Sequence, residues 1–553
     1  MDNMNLKWAY KISEILYSQG IRHICICPGA RNTALTIAFT SDSKFNTTSH
    51  IDERSAGYFA LGLSKANRVP TVILTTSGTA VANVFPSIIE ANYSKTPIIV
   101  LTADRPNNKI GIGDNQAINQ RMIYGDHVRC FYDIGLPLND YRTLTENLIS
   151  AYNFSIGSSD APPGPVHINT PFDVPIASRI IENNIIDATL SRNNYNPEFK
   201  ITCDNINFNK SIIICGEIHP NESLDSIIEF SEYINAPILS DPTSNLRYYK
   251  KHPNIVSNYN YILNKINCLP SSIIRFGRKP TSKVLNNLIN KHKSVLLVDR
   301  YPTFNDSSTH HITSDYVNFL SYVKVNFSKN TNNSLFDIIT KYQKHIKELI
   351  ENASLQNLNC EGLFINELLN KIKSNTSIFI GNSMAIREAD DLTQNFNKKH
   401  KVYCNRGASG IDGLVSTSLG ISYAQKNSTN LNISIIGDLS FYHDMNGLHF
   451  SINNKINTKF IIINNNGGGI FSTLPINDLN YSKFNKYWTT PLNIDLENVA
   501  KLYNIDYMKV INADQTLDAI YRTNDIIIID YNIDLKETEK VKEELISQIN
   551  KKF

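Results

Sequence analysis

Short apolar runs, separated by polar turns and amphipathic stretches, recur along the whole chain. In the first third they are Ile21–Ile26, Thr71–Leu74 and Pro97–Leu101. In the middle they are Ser211–Cys215, Ser272–Phe276 and Ser294–Val298. In the last third they are Ser377–Ile380, Ile433–Ile436, Phe460–Ile463 and Asp525–Ile529. Continuous rather than alternating apolar runs predict strands covered on both faces, as in a parallel sheet. Between them the period changes to that of a helix. After Asp52, an N-cap residue type, Ala56, Phe59, Ala60 and Leu63 recur at i, i+3, i+4 and i+7. Alternation of the two patterns predicts an α/β chain of three consecutive doubly wound parallel-sheet domains, residues 1–180, 181–355 and 356–553. A polar, Asn-rich stretch, Glu182 to Asn209, reads as a linker, and Lys329 to Leu358 as a linker or a helix.

Composition narrows the function classes. A chain of 553 residues, 41% hydrophobic and 19% charged, has room for about three ordinary domains. A net charge of +3 from 54 basic and 51 acidic residues gives no basis for nucleic-acid binding. No apolar stretch approaches the ~20 residues that span a bilayer. Asp2, Lys7, Lys11 and Glu14 interrupt the first twenty positions, so no signal-peptide core is expected there. The eight cysteines contain no Cys-x-x-Cys pair, which predicts buried free thiols and a cytoplasmic protein.

The chemistry sits where strands end. Gly437-Asp438-Leu439-Ser440 closes one apolar run and Asn464-Asn465-Asn466-Gly467 another, with Asn464 27 positions after Gly437. In open parallel sheets the carboxyl ends of strands are where ligands bind. A carboxylate (Asp438), an amide oxygen (Asn465) and a backbone carbonyl (Gly467) suit Mg²⁺ or Mn²⁺, hard cations that complete their shell with a ligand's phosphates. The glycine turn offers backbone N–H groups to those phosphates. Either half alone reads more simply as a strand-end turn, where Asp and Asn are common. The two together at this spacing favour the metal–diphosphate reading.

A Gly-Asp followed by Asn-Asn at this distance resembles the signature of thiamine-diphosphate-dependent enzymes. Further stretches carry the resemblance: Cys27-Pro28-Gly29-Ala30-Arg31-Asn32-Thr33, Asp52-Glu53-Arg54-Ser55-Ala56, Thr76-Ser77-Gly78-Thr79-Ala80-Val81-Ala82-Asn83, Leu101-Thr102-Ala103-Asp104-Arg105-Pro106, Gly381-Asn382-Ser383-Met384, Asn405-Arg406-Gly407-Ala408-Ser409-Gly410-Ile411-Asp412-Gly413 and Gly467-Gly468-Gly469-Ile470-Phe471-Ser472. They are similar to the branch of that family serving menaquinone or phylloquinone biosynthesis. The resemblance implies cofactor contacts from Gly29, Glu53, Thr76, Ser409, Ile411, Gly437, Asp438, Leu439, Ser440, Asn465 and Gly467, with Mg²⁺ or Mn²⁺ on Asp438, Asn465 and Gly467. Glu53 is implied as the catalytic residue, a buried carboxyl bonded to the aminopyrimidine ring. Ile411 is implied as the wedge that bends the cofactor.

The same resemblance implies two dicarboxylate substrates, 2-oxoglutarate and isochorismate, joined with loss of CO₂. Such substrates call for planar bidentate donors. Arg31, Arg387 and Arg406, with Arg105 as a fourth, fall in the matching stretches. Asn115, Gln116 and Ser383 are implied as polar partners, and Ile470, Phe471 and Leu474 as apolar walls. In the family the glutamate and the diphosphate anchor come from different copies, implying a homodimer or homotetramer. Ala30 stands where the family usually has Ser, Cys27 replaces a commoner small residue, and only Arg300 is basic in Asp299–Phe304. Those departures bear on substrate affinity and on regulation through the middle domain. Two other readings remain open at this point. One is an acetohydroxyacid synthase or oxo-acid decarboxylase, whose middle domain often binds FAD; Gly111-Ile112-Gly113 is no complete dinucleotide fingerprint. The other is a non-catalytic protein on the same fold.

Overall fold

The computed structural model describes residues 3–174, 201, 208–266, 268–354, 356, 358–426, 428, 430–475 and 481–552. Almost all of the expected Glu182–Asn209 linker lies outside these. The expected linker or helix at 329–358 is largely one helix, Ser334–Ser354.

Eighteen described strands form three six-stranded sheets, parallel throughout. The first holds β1 His23–Ile26, β2 Asn46–Ser49, β3 Thr71–Thr75, β4 Ile98–Asp104, β5 Phe131–Asp133 and β6 Pro165–Pro171. The second holds β7 Ile212–Cys215, β8 Ile238–Ser240, β9 Ile255–Val256, β10 Ile273–Phe276, β11 Val295–Asp299 and β12 His310–Thr313. The third holds β13 Ser377–Ile380, β14 Lys401–Tyr403, β15 Asn432–Gly437, β16 Thr458–Asn464, β17 Asp506–Val510 and β18 Ile527–Asn532. The first sheet runs β2-β1-β3-β4-β6-β5 and the third β14-β13-β15-β16-β18-β17, the same order. The middle sheet, β12-β11-β10-β7-β8-β9, has the doubly wound nucleotide-fold order instead. In the outer sheets the winding reverses between β1 and β3 and between β13 and β15. A reversal opens a crevice at the strand ends, and the Gly29–Arg31 and Thr76 segments and the Ser383 and Asp438 segments emerge there.

Two compact units divide the chain. One holds the first sheet with Asn405–Ser428 and His443–Ile456; the other holds the second and third sheets. In the first unit, Asp52 caps helix Glu53–Asn67 by accepting from the N–H groups of Arg54 and Ser55. That helix packs on helix Leu414–Ala424 with backbones nearly touching. A Cβ on Gly62 would stand 2.1 Å from Thr417 O, and one on Gly420 2.1 Å from Phe59 O. Only glycines permit the crossing.

In the second unit, fully buried Arg247 donates to the carbonyls of Ala389 and Asp390 and to Asp390 Oδ1 at 3.1 Å. The ion pair anchors helix Met384–Leu392, which carries Arg387. Removing one partner of such a buried pair costs about 3–5 kcal/mol. Among the described residues seven cysteines are unpaired; Cys25, Cys27, Cys215, Cys360 and Cys404 are buried, Cys130 is half-buried and Cys268 is exposed. No described helix is long and apolar enough to cross a membrane.

Candidate active site

At the carboxyl edge of the first sheet, β1 and β3 come together through Gly29 and Thr76. A Cβ on Gly29 would lie 2.4 Å from Thr76 Cβ, so the approach requires glycine. Asn32 ties the turn by accepting from Gly29 N at 3.1 Å and donating to Cys27 O at 2.8 Å. Arg31 is buried, donates to Phe172 O at 2.7 Å, and leaves its Nε without a partner. Arg105 Nε is likewise buried and unpartnered. Guanidinium N–H groups buried without acceptors carry a desolvation cost that an anionic ligand offsets.

Glu53 begins its helix half-buried rather than buried, with Asn83 Nδ2 donating to Oε2 at 3.2 Å. Asn83 lies in the Thr76–Asn83 stretch, so the motif was visible while the partnership was not. Asn115 and Gln116 are exposed. The buried residue of that loop is Gln120, which accepts from Gly78 N at 2.9 Å and donates to Ala103 O and Asn169 Oδ1. Asn169 donates onward to Asp104 Oδ2 at 2.8 Å and accepts from Thr102. Burial raises Asp104 above the usual carboxylate range, against hydrogen bonds from Asn169 and Arg105 N. The network fixes the loop that follows Arg105 to the end of β4. Gln120, on an irregular segment, carries no sequence signal of its own.

The loop Arg406–Gly413 belongs to the same unit but is held elsewhere. Buried Glu90 accepts from Gly407 N at 2.8 Å and Ala408 N at 2.6 Å, and Tyr58 donates to Asp412. Ser409 adopts φ +62° and is exposed, while Arg406 and Ile411 are half-buried. Glu90, Tyr58 and Asp412 therefore shape the stretch that carries the implied wedge. Glu90 and Tyr58 lie on helices whose apolar period hid them.

Fully buried Asp444 accepts from Ser416 N at 2.7 Å, Ser416 Oγ at 3.0 Å and Ser55 Oγ at 3.4 Å, beside the helix turn bearing Glu53. Burial raises its carboxyl to about 6, against those hydrogen bonds and the nearby Arg54 charge. A folded-state value above the unfolded one contributes stability that is full below the unfolded value and lost as pH rises through about 6. Thermal unfolding of Asp444→Asn and the parent across pH should show this. The substitution costs a fixed amount for lost hydrogen bonds, and the gap should shift in the variant's favour by about 2 kcal/mol from pH ~4 to ~7. A gap constant with pH would contradict the assignment.

The third sheet's edge gathers the second set. Gly437 pairs with Ile463, so Asp438 and Asn464 leave the sheet at the same level. Asp438 is 4% exposed; its oxygens accept from Leu439 N and Gly467 N, both at 2.8 Å. Burial nonetheless raises its carboxyl to about 6. A carboxylate that is costly to ionise alone is suited to a cation. Asn465 Oδ1 is buried with no hydrogen-bond partner, an acceptor that a metal ion would satisfy. Gly467 takes φ +140°, which L side chains rarely adopt, and a Cβ there would meet Thr489 O at 2.3 Å. Above Gly437 a Cβ would meet nothing within 4 Å, leaving open space beside Leu439 and buried Ser440 for phosphate oxygens. The donor set fits Mg²⁺, which takes oxygen ligands and shares phosphates.

Around this edge, Ser383 (φ +69°) opens helix Met384–Leu392, and Arg387 donates to its carbonyl. Ile470, Phe471 and Leu474 are half-buried, the first two within the turn Gly469–Thr473. The structure thus gathers Ser383, Arg387, Asp438, Asn465 and Gly467 at one edge, and Gly29, Arg31, Glu53, Thr76 and Arg105 at another.

Residues 7–126 match the thiamine pyrophosphate enzyme family's N-terminal TPP binding domain and residues 390–525 its C-terminal TPP binding domain. The class is therefore that of thiamine-diphosphate enzymes, which use the cofactor with Mg²⁺. The 2-succinyl-5-enolpyruvyl-6-hydroxy-3-cyclohexene-1-carboxylate synthase of Staphylococcus aureus strain JH9 is 35% identical over 527 residues, 91% of this chain and 90% of its own. That of strain MRSA252 is 34% identical over 537 residues, 93% and 92% of the two chains. The chain belongs to this synthase family.

Proposed function

We propose that the chain decarboxylates 2-oxoglutarate and adds the remaining four-carbon unit to isochorismate in a 1,4 fashion. The products are 2-succinyl-5-enolpyruvyl-6-hydroxy-3-cyclohexene-1-carboxylate and CO₂, a step of menaquinone or phylloquinone biosynthesis. The observation that carries the reading is 35% identity to a synthase of that name over 91% of the chain.

The site residues fit the cofactor. Asp438, Asn465 and the Gly467 carbonyl would hold Mg²⁺, and the turn Gly437–Ser440 would take the diphosphate. Thiamine diphosphate, when bound, supplies a carbon nucleophile that accepts the electron pair left by departing CO₂. Glu53 would hold a proton toward the aminopyrimidine ring, and Ile411 would pack against the cofactor. Gly29, Thr76 and Ser409 line the remainder of the cofactor. Arg31, Arg105, Arg387 and Arg406, with Ser383, Asn115 and Gln116, bind the substrates' carboxylates and hydroxyl. Ile470, Phe471 and Leu474 exclude water from the reacting carbon.

Residues 1–180 serve as the pyrimidine-binding domain, 181–355 as the central domain and 356–553 as the diphosphate-binding domain. The enzyme works in the cytoplasm as a homodimer or homotetramer, Glu53 of one copy facing Asp438 and Asn465 of another. In an assay with thiamine diphosphate, Mg²⁺ and 2-oxoglutarate, isochorismate absorbance should fall. Turnover with pyruvate but not 2-oxoglutarate would contradict the reading and favour an acetohydroxyacid synthase or decarboxylase.

A further inference from the structure

The helix Leu535–Lys552 buries Val541, Leu545 and Ile549 in the core cluster that includes Leu335, Ile346 and Leu363. That i, i+4, i+8 stripe accounts for its docking. Three other residues of the helix reach the implied substrate elements. A Cβ on Gly469 would lie 2.9 Å from Leu535 Cδ1, so the start of the turn Gly469–Thr473 rests on Leu535. Ser472, in the same turn as Ile470 and Phe471, donates to Glu539 Oε1 at 2.8 Å. The Ser472 hydroxyl has Gly469 O as a second acceptor at 2.8 Å, and a carboxylate is the stronger of the two. Lys542 Nζ donates to Glu388 Oε1 at 2.7 Å and Asp391 Oδ2 at 2.8 Å, both on the helix that Ser383 opens and that carries Arg387.

Burial makes the lysine contact consequential. Glu388 and Glu361 are fully buried, and one carboxyl oxygen of each has no hydrogen-bond partner. Lys542 is the cation set against this buried acidic pair, so the helix cannot shift without leaving charge uncompensated. Among the described residues, the contacts of Leu535, Glu539 and Lys542 include none to Asp438, Asn465 or Gly467; the nearest link is Gly469 N donating to Gly467 O at 3.0 Å, a backbone bond that the Glu539 side chain does not make.

We propose that the helix Leu535–Lys552 positions the substrate wall. Glu539 holds the Ile470–Phe471 turn through Ser472, and Lys542 holds the Ser383–Arg387 turn through Glu388 and Asp391. The proposal rests on reading those turns as substrate contacts. Both substrates carry two carboxylates, but only isochorismate adds a carbocycle that an apolar wall can pack against, so Glu539 acts as a positioning residue for the cyclic substrate.

The test is Glu539→Ala against Glu539→Gln and the parent enzyme. Losing one hydrogen bond to a carboxylate should raise KM for isochorismate about three- to tenfold, with kcat and the 2-oxoglutarate KM within about twofold of the parent. Thiamine diphosphate affinity, read by fluorescence quenching, should not change. Glu539→Gln, which keeps an oxygen for Ser472, should restore the parent KM. Amide exchange over 469–474, measured without substrates, should be faster in Glu539→Ala alone. An unchanged isochorismate KM, or weakened cofactor binding in its place, overturns the proposal. Failure of the parent to consume isochorismate with 2-oxoglutarate would instead overturn the functional reading, and the exchange result would still report whether Glu539 holds the turn.

Discussion

Glu53→Gln should lower kcat by about 10²–10⁴-fold while leaving the fold and cofactor affinity nearly intact. The substitution keeps the side chain's size and, through its amide oxygen, an acceptor for Asn83 Nδ2, so the helix start is undisturbed. The Asp52 cap is untouched as well. What is lost is a group that can hold or release a proton at one atom. A stopped-flow measure of CO₂ release, compared with thiamine diphosphate binding, separates the two effects. Loss of binding in parallel with rate would mean that Glu53 anchors the cofactor; near-parent turnover would remove it from the chemistry.

Asp438→Ala should weaken Mg²⁺-dependent thiamine diphosphate binding by about 100-fold or more, since even groups that merely orient metal ligands are worth 10–100-fold. Chelation of the metal from the parent should produce the same loss. The geometry gives the reason. Asp438 is buried, its carboxylate held between the N–H groups of Leu439 and Gly467, beside the unpartnered Asn465 Oδ1. Removing the carboxylate leaves amide and carbonyl oxygens, too little charge for a hard divalent ion. Isothermal titration with and without Mg²⁺ measures the effect. Affinity that no longer depends on Mg²⁺ in the parent would contradict the site. Mixing Asp438→Ala with Glu53→Gln subunits should regain activity that neither homodimer has, because one mixed site then has both groups intact. No recovery after verified subunit exchange would place Glu53 and Asp438 of one site on the same copy.

The three-sheet architecture was legible because interior parallel strands are apolar on both faces. Ile433–Ile436 and Phe460–Ile463 declare themselves, and β15 and β16 extend them by only a few residues. Edge strands did not. β2 reads Asn-Thr-Thr-Ser, and β12 begins with two histidines, because an edge strand needs less apolar cover. β6 was hidden by His167, Asn169 and Thr170, buried polar residues, of which His167 and Asn169 find partners on β4 and the Gln120 loop. The implied site residues at strand ends were readable as motifs. Glu90 and Gln120 act through contacts distant in sequence, and no local pattern marks them; Asn83 lies in a recognisable motif, but its bond to Glu53 does not show there. The half-burial of Glu53 likewise follows from tertiary surroundings, not from its place in a motif.

The most direct measurement supplies uniformly ¹³C-labelled 2-oxoglutarate, unlabelled isochorismate, thiamine diphosphate and Mg²⁺, and weighs the product. The account predicts one ¹³CO₂ released for each isochorismate consumed, and a cyclic product that carries the four remaining labelled carbons. Release of ¹³CO₂ with isochorismate left unlabelled and unconsumed would contradict it.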